Sequence, residues 1–123
     1  MPPREEPEPS EVSDAEVSEQ ILRQRWFWLL LLKRGPIRNQ SRDDVAHIQA
    51  AHLRHLYTLR RDGKLTLFGP VDGAGPLRGI GVLTVPTREE AEALMAGDPA
   101  VAAGRLRVQV RPWFTMPGGA LPD

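Results

Sequence analysis

Cysteine is absent from this sequence, which removes disulfides, thiolate metal sites and cysteine nucleophiles from consideration. That fits a reducing compartment. An excess of charge is missing too: 16 Lys and Arg stand against 16 Asp and Glu, so there is no net positive field to hold nucleic acid. Long apolar runs are also lacking. The longest, Trp26 to Leu32, has seven residues, far short of the roughly 20 that a membrane-spanning helix needs. The residues ahead of it are acidic and proline-rich, unlike the positive n-region of a secretory signal. The expectation is a cytoplasmic protein with neither nucleic acid nor membrane as partner.

What is there suffices for one domain with its own core, since the chain has 123 residues. The first dozen or so are rich in Pro and Glu with almost nothing to bury, a composition that stays disordered. Ser13 and Glu16 then have capping-box spacing ahead of a short helix with Val17 and Ile21 on one face. Residues 1–24 are therefore an extension, 25–114 the domain and 115–123 a tail.

Within the domain, Trp26 to Lys33 is continuously apolar and stops at Gly35-Pro36, which predicts a strand buried on both faces. The clearest helix follows. Ser41 caps it, Asp43 and Asp44 fill its first turn, and Gly63 ends it. Val45, Ile48, His52, Leu56 and Leu59 form its apolar stripe, with a histidine in the middle. Lys64 to Val71 alternates as a second strand, and Arg78 to Val85 reads as a third. Thr87 caps a second helix that ends near Gly97, and Ala100 to Ala103 suggests one further turn. Arg105 to Val110 is the last strand, closed by Arg111-Pro112-Trp113. The order β-α-β-β-α-β is that of the α+β, ferredoxin-like fold, with two helices on one face of a four-stranded antiparallel sheet. The uncovered face, to which the first strand contributes, then needs a partner, and a second copy of the chain is the expected one.

Several pieces carry a resemblance: Ala51-His52-Leu53 with Leu56, Asp62-Gly63-Lys64-Leu65 leading to Gly69-Pro70, and the strand Gly79 to Val85. Glu89-Glu90-Ala91, the run Gly97 to Gly104 and Arg111-Pro112-Trp113 complete the set. In this order and spacing, from Trp26 to Trp113, the chain resembles the YCII-related family. The resemblance implies a dimeric α+β barrel fold and an enzymatic site built on a histidine and an aspartate. It also implies kinship with a dehydrochlorinase-type activity on a chlorinated hydroquinone. The wider fold group includes muconolactone isomerases and monooxygenases. Two departures stand out: Ala100 where a large hydrophobic residue commonly follows Asp-Pro, and the extension before Trp26.

His52 has two readings. It is either a core histidine bonded to a backbone carbonyl or a general acid/base in a half-buried pocket. Asp98 follows the second helix and can approach it; an aspartate on one ring nitrogen fixes the tautomer of the other. Asp98 is equally an N-cap before Pro99, and one residue can do both. Asp62 lies ten residues along the same helix from His52 and reads as the Asp-Gly turn instead. Asp72 sits in a loop placed to line a pocket mouth. Arg111 suits a carboxylate or phenolate, or is simply an edge-strand residue beside a proline. His55 reads as pocket rim and His47 as solvated. His52 and His55 have a chelating i, i+3 spacing, but no His-Glu-x-x-His pattern is present and no metal is expected. Nothing calls for a cofactor. The leading expectation is a small lyase or isomerase acting on a cyclic or aromatic molecule, with His52 and Asp98 catalytic and Asp72, Arg111 and His55 binding substrate. The alternative is a non-catalytic small-ligand-binding or structural dimer module.

Overall fold

A computed structural model describes residues 10–119 and 121–123; most of the segment expected to be disordered lies outside the described residues. Two compact units are present, and one of them is Trp26–Phe114. The other holds α1 (Asp14–Leu22), whose cap is formed by Ser13 Oγ accepting from the Glu16 N–H at 3.2 Å. No residue of α1 is buried, and Val17 and Ile21 stay exposed.

The larger unit is built from β1 (Arg25–Arg34), α2 (Arg42–Arg61), β2 (Leu65–Pro70), β3 (Leu77–Leu83), α3 (Arg88–Ala96), the single turn α4 (Pro99–Ala102) and β4 (Leu106–Thr115). The strands lie in the order β2-β3-β1-β4, with β3 antiparallel to both β1 and β2. Gly35 bonds Arg105, Lys33 Nζ bonds Gln109 Oε1 at 2.7 Å, and the ring of Trp26 meets that of Phe114 at a tilt, 4.8 Å between centroids, so β4 runs antiparallel to β1. This is the expected ferredoxin-like sheet. One apolar cluster draws on every strand and on α2 and α3; Leu30, Leu65, Leu83 and Met95 are fully buried in it. Each such side chain contributes about 1.5–3 kcal/mol on transfer from water. No helix among the described residues is long and apolar enough to cross a membrane.

Three features depart from simple alternation. Leu65 pairs with Leu83 but Leu67 pairs with Val82, so the ladder bulges at Thr66. The bulge leaves Leu67 exposed at 46% and sets Phe68 opposite Gly81 on the core face. A second irregularity lies across β1 and β3, where Leu32 pairs with Gly79 and Lys33 with Leu77, leaving Arg78 as the extra residue. Finally, the last strand does not stop at Arg111-Pro112. It runs to Thr115, because β4 is an edge strand and a proline there costs the ladder no internal hydrogen bond.

The face of the sheet away from the core carries Leu29, Leu31 and Val82, which are half-buried, and Ile80, which is exposed. The complete burial expected for β1 is thus not achieved among the described residues: Leu29 and Leu31 stay half-buried while Leu30 and Leu32 are buried.

The end of β1 and the turn before β4 approach so closely that only glycine fits. The Gly35 N–H donates to Arg105 O at 2.7 Å, and a Cβ on Gly35 would stand 2.1 Å from Gly104 O. Gly35→Ala should lower the unfolding free energy in urea by about 1–3 kcal/mol. A loss under about 0.5 kcal/mol would mean that the two segments can separate freely.

Candidate active site

The apolar stripe of α2 faces the sheet, and His52 is carried inward with it. Ser41 Oγ accepts from the Asp44 N–H at 3.1 Å and starts the helix. Asp62 caps its end and pairs with Arg61 at 3.1 Å, while Gly63, at φ 74, takes the left-handed turn. Leu56 and Leu59 are buried on the turns after His52, which is itself only 7% exposed.

Asp98 comes from the other side. Pro99 holds its backbone extended (φ −69, ψ 123), so it stands ahead of α4 as the cap. Its Oδ1 accepts from the Ala100 N–H at 2.9 Å, and its Oδ2 accepts from His52 Nδ1 at 2.6 Å. Asp98 has no exposed surface, yet both carboxylate oxygens are engaged. The two readings of Asp98 are therefore met together. With a carboxylate as acceptor, the hydrogen resides on Nδ1.

Among the described residues Nε2 of His52 has no hydrogen-bond partner, and no buried side-chain nitrogen or oxygen lacks one. Nε2 is accordingly reachable from the cavity that His52 lines. This cavity encloses about 490 Å³ between α2 and the sheet. Ile48 and Leu56 from α2, Leu32 and Phe68 from the sheet, and Ala100 give it an apolar body. Gly79 also lines it from the core face of β3, where a Cβ would stand 3.2 Å from Gly69 O.

The remaining sequence candidates lie elsewhere. His55 is turned towards α3, its Nε2 donating to Leu94 O at 2.7 Å. Asp72 is exposed and accepts from the neighbouring Gly73 N–H at 2.9 Å. Arg111 is exposed on β4, on the opposite side of the strand from buried Val110. None of the three lines the cavity. Three arginines that sequence reasoning passed over do line it: Arg38, Arg78 and Arg105. Arg78 reaches it from the bulge, which alternation along β3 does not reveal. Desolvation lowers the pKa of Arg38 below its usual value, and the positive charges of Arg105, Arg34 and Arg78 lower it further.

Removing the Asp98 side chain should be costly, because it strands a buried N–H and deletes a cap. Asp98→Ala is expected to lose about 3–5 kcal/mol in chemical denaturation. Asp98→Asn keeps an oxygen for the Ala100 N–H and should lose about 1 kcal/mol less. Equal losses would show that the cap contributes nothing.

Comparison with known proteins agrees with this arrangement of elements. No curated protein matches the chain. Among solved structures, the 5-chloro-2-hydroxyhydroquinone dehydrochlorinase of Burkholderia phenoliruptrix, in complex with 2,5-dihydroxybenzoquinone, is similar at 26% identity and a TM-score of 0.51. The match covers 69% of this chain and 92% of that one. Muconolactone isomerase is similar in fold, with a TM-score of 0.60 at 13% identity over 79% of this chain and 97% of the other. The model of the YCII-related domain matches residues 27–114, and the chain belongs to that family.

Proposed function

We propose that this protein is a small lyase or isomerase in which His52 moves a proton and Asp98 holds the ring that moves it. The observation carrying this reading is the 2.6 Å contact from Nδ1 to a buried carboxylate, with Nε2 left facing an apolar cavity. A neutral ring so held has its lone pair on Nε2, positioned to take a proton from a carbon acid or hydroxyl. The carboxylate offsets the positive charge that then develops on the ring. The proton can return to a neighbouring carbon, giving an isomer. Otherwise the electron pair of the broken C–H bond forms a double bond as a leaving group departs with its own pair, giving an elimination. Both outcomes agree with the kinds of enzyme that the similar structures represent, and the 26% identity to the dehydrochlorinase favours elimination as the first to be tried.

The chain is further proposed to work as a homodimer. The half-covered outer face of the sheet, with Leu29, Leu31, Ile80 and Val82, is the surface a second copy would cover.

The tautomer is the first test. Long-range proton–nitrogen spectra of the imidazoles should show hydrogen on Nδ1 and none on Nε2 in the neutral His52 ring. In Asp98→Asn the amide nitrogen would face Nδ1 and drive the hydrogen to Nε2. Turnover of 5-chloro-2-hydroxyhydroquinone or muconolactone, used as first probes, should then fall by about 10²–10⁴-fold in kcat with KM little changed. Hydrogen on Nε2 in the wild-type ring would defeat the proposed role for His52 and leave a ligand-binding module as the better reading.

Sedimentation supplies the test of assembly. The wild type should sediment at about twice the 13.7 kDa chain mass, and Leu31→Arg with Ile80→Arg should yield a folded monomer. A monomeric wild type would rule the dimer out.

A further inference from the structure

Three arginines and, among the described residues, no carboxylate line the cavity. Among the described residues, the arginine ion pairs are Arg61 with Asp62 and Arg88 with Glu92, and neither involves Arg38, Arg78 or Arg105. Asp98, the carboxylate behind His52, already has both oxygens occupied. The three arginines bond neutral acceptors instead. Arg38 Nη1 donates to Arg105 O at 2.8 Å, Arg105 Nη1 to Gln40 Oε1 at 2.9 Å, and Arg78 Nη1 to Gly73 O at 3.3 Å. A guanidinium has five N–H donors, so each contact positions the group while leaving donors for something else.

These charges feel one another. Arg105, Arg34 and Arg78 are the positive groups acting on Arg38, alongside its partial desolvation. Gathering like charges around one apolar cavity is unfavourable, and an anion between them would turn the repulsion into attraction. Guanidinium groups meet planar or tetrahedral oxyanions with paired N–H donors. The bulge that gives β3 its extra residue contributes Arg78 to this cluster, and bulges recur where a side chain must be re-aimed at a site.

We propose that Arg38, Arg78 and Arg105 anchor an oxyanion, so that the ligand of this site is a compact organic anion bearing a carboxylate or phosphate. Its apolar body would lie against Leu32, Leu56 and Phe68, with its reactive position towards His52 Nε2. That last placement rests on the proton-transfer role assigned to His52; the anion anchor itself does not. The 490 Å³ of the cavity suits a ligand of this size, within the range of small-molecule sites of roughly 300–1,000 Å³.

Calorimetric titration with benzoate, phenyl phosphate and neutral benzamide tests the anchor without any turnover. Benzoate or phenyl phosphate should bind at least about tenfold more tightly than benzamide. Whichever of the two is tighter identifies the head group as carboxylate or phosphate. Arg78→Gln and Arg105→Gln should each weaken the anion by about 5–30-fold and leave benzamide unchanged. Arg78→Lys, which keeps the charge, should recover part of the loss. Arg111→Gln, which alters an arginine outside the cavity, should change nothing. Equal affinity for benzoate and benzamide would overturn the proposal. So would benzoate binding indifferent to both glutamine variants, or a Kd beyond about 10 mM for both anions. Failure here would leave the proton-transfer role of His52 to its own test, the position of the ring hydrogen. Conversely, a tight anion site in a protein with hydrogen on Nε2 would keep the anchor and remove the proton transfer.

Discussion

A carboxylate with no exposed surface has to be compensated inside the protein, and in this fold that requirement falls on Asp98. Burying an unpaired charge costs several kcal/mol, so its two oxygens must find donors in fixed places. One donor is the Ala100 N–H at the start of α4 and the other is the ring of His52 on α2. Satisfying both sets the rotation of α2 about its axis and docks the turn after α3 against it. The same two bonds engage Nδ1 and leave Nε2 without a partner among the described residues, on a ring that lines the cavity. Stability and the arrangement of the candidate site are in this way consequences of one buried group.

The cavity around that nitrogen is made as much by irregular features of the sheet as by its regular parts. A bulge at Thr66 turns Phe68 onto the core face, and a second in β3 sets Arg78 apart from the ladder. Gly79 lines the cavity where β2 runs so close that a Cβ would stand 3.2 Å from Gly69 O. The close approach of Gly35 to Gly104 and Arg105 ties the segment that carries Arg38 to the start of β4, which brings two of the three cavity arginines together. An apolar volume with a cationic edge beside one histidine results.

The sheet also has a side that the chain does not fully cover. Both of its larger helices pack on the core face, so the apolar residues of β1 and β3 that point the other way stay half-buried or exposed. The edge strand β4 continues through Pro112 to Thr115 because its outer row of backbone groups has no ladder to break.

Sequence alone determined the element order, the fold class and the helix caps, because each rests on local physics. The stripe from Val45 to Leu59, Ser41 and Thr87 as caps, and Asp98 ahead of Pro99 are all readable within one or two helical turns. It also singled out His52 as a polar group on an apolar face, and Asp98 as a residue able to cap and to pair. Only the tertiary structure decided that Asp98 does both, that His55 turns to Leu94, and that Asp72 and Arg111 stay outside the cavity. The reason is that these outcomes depend on distances between elements far apart in the chain. The arginines were hidden for a related reason. A bulge shifts the phase of a strand by one residue without leaving a mark in its composition, so the side of the sheet to which Arg78 turns is open until the pairing of β1 with β3 is known.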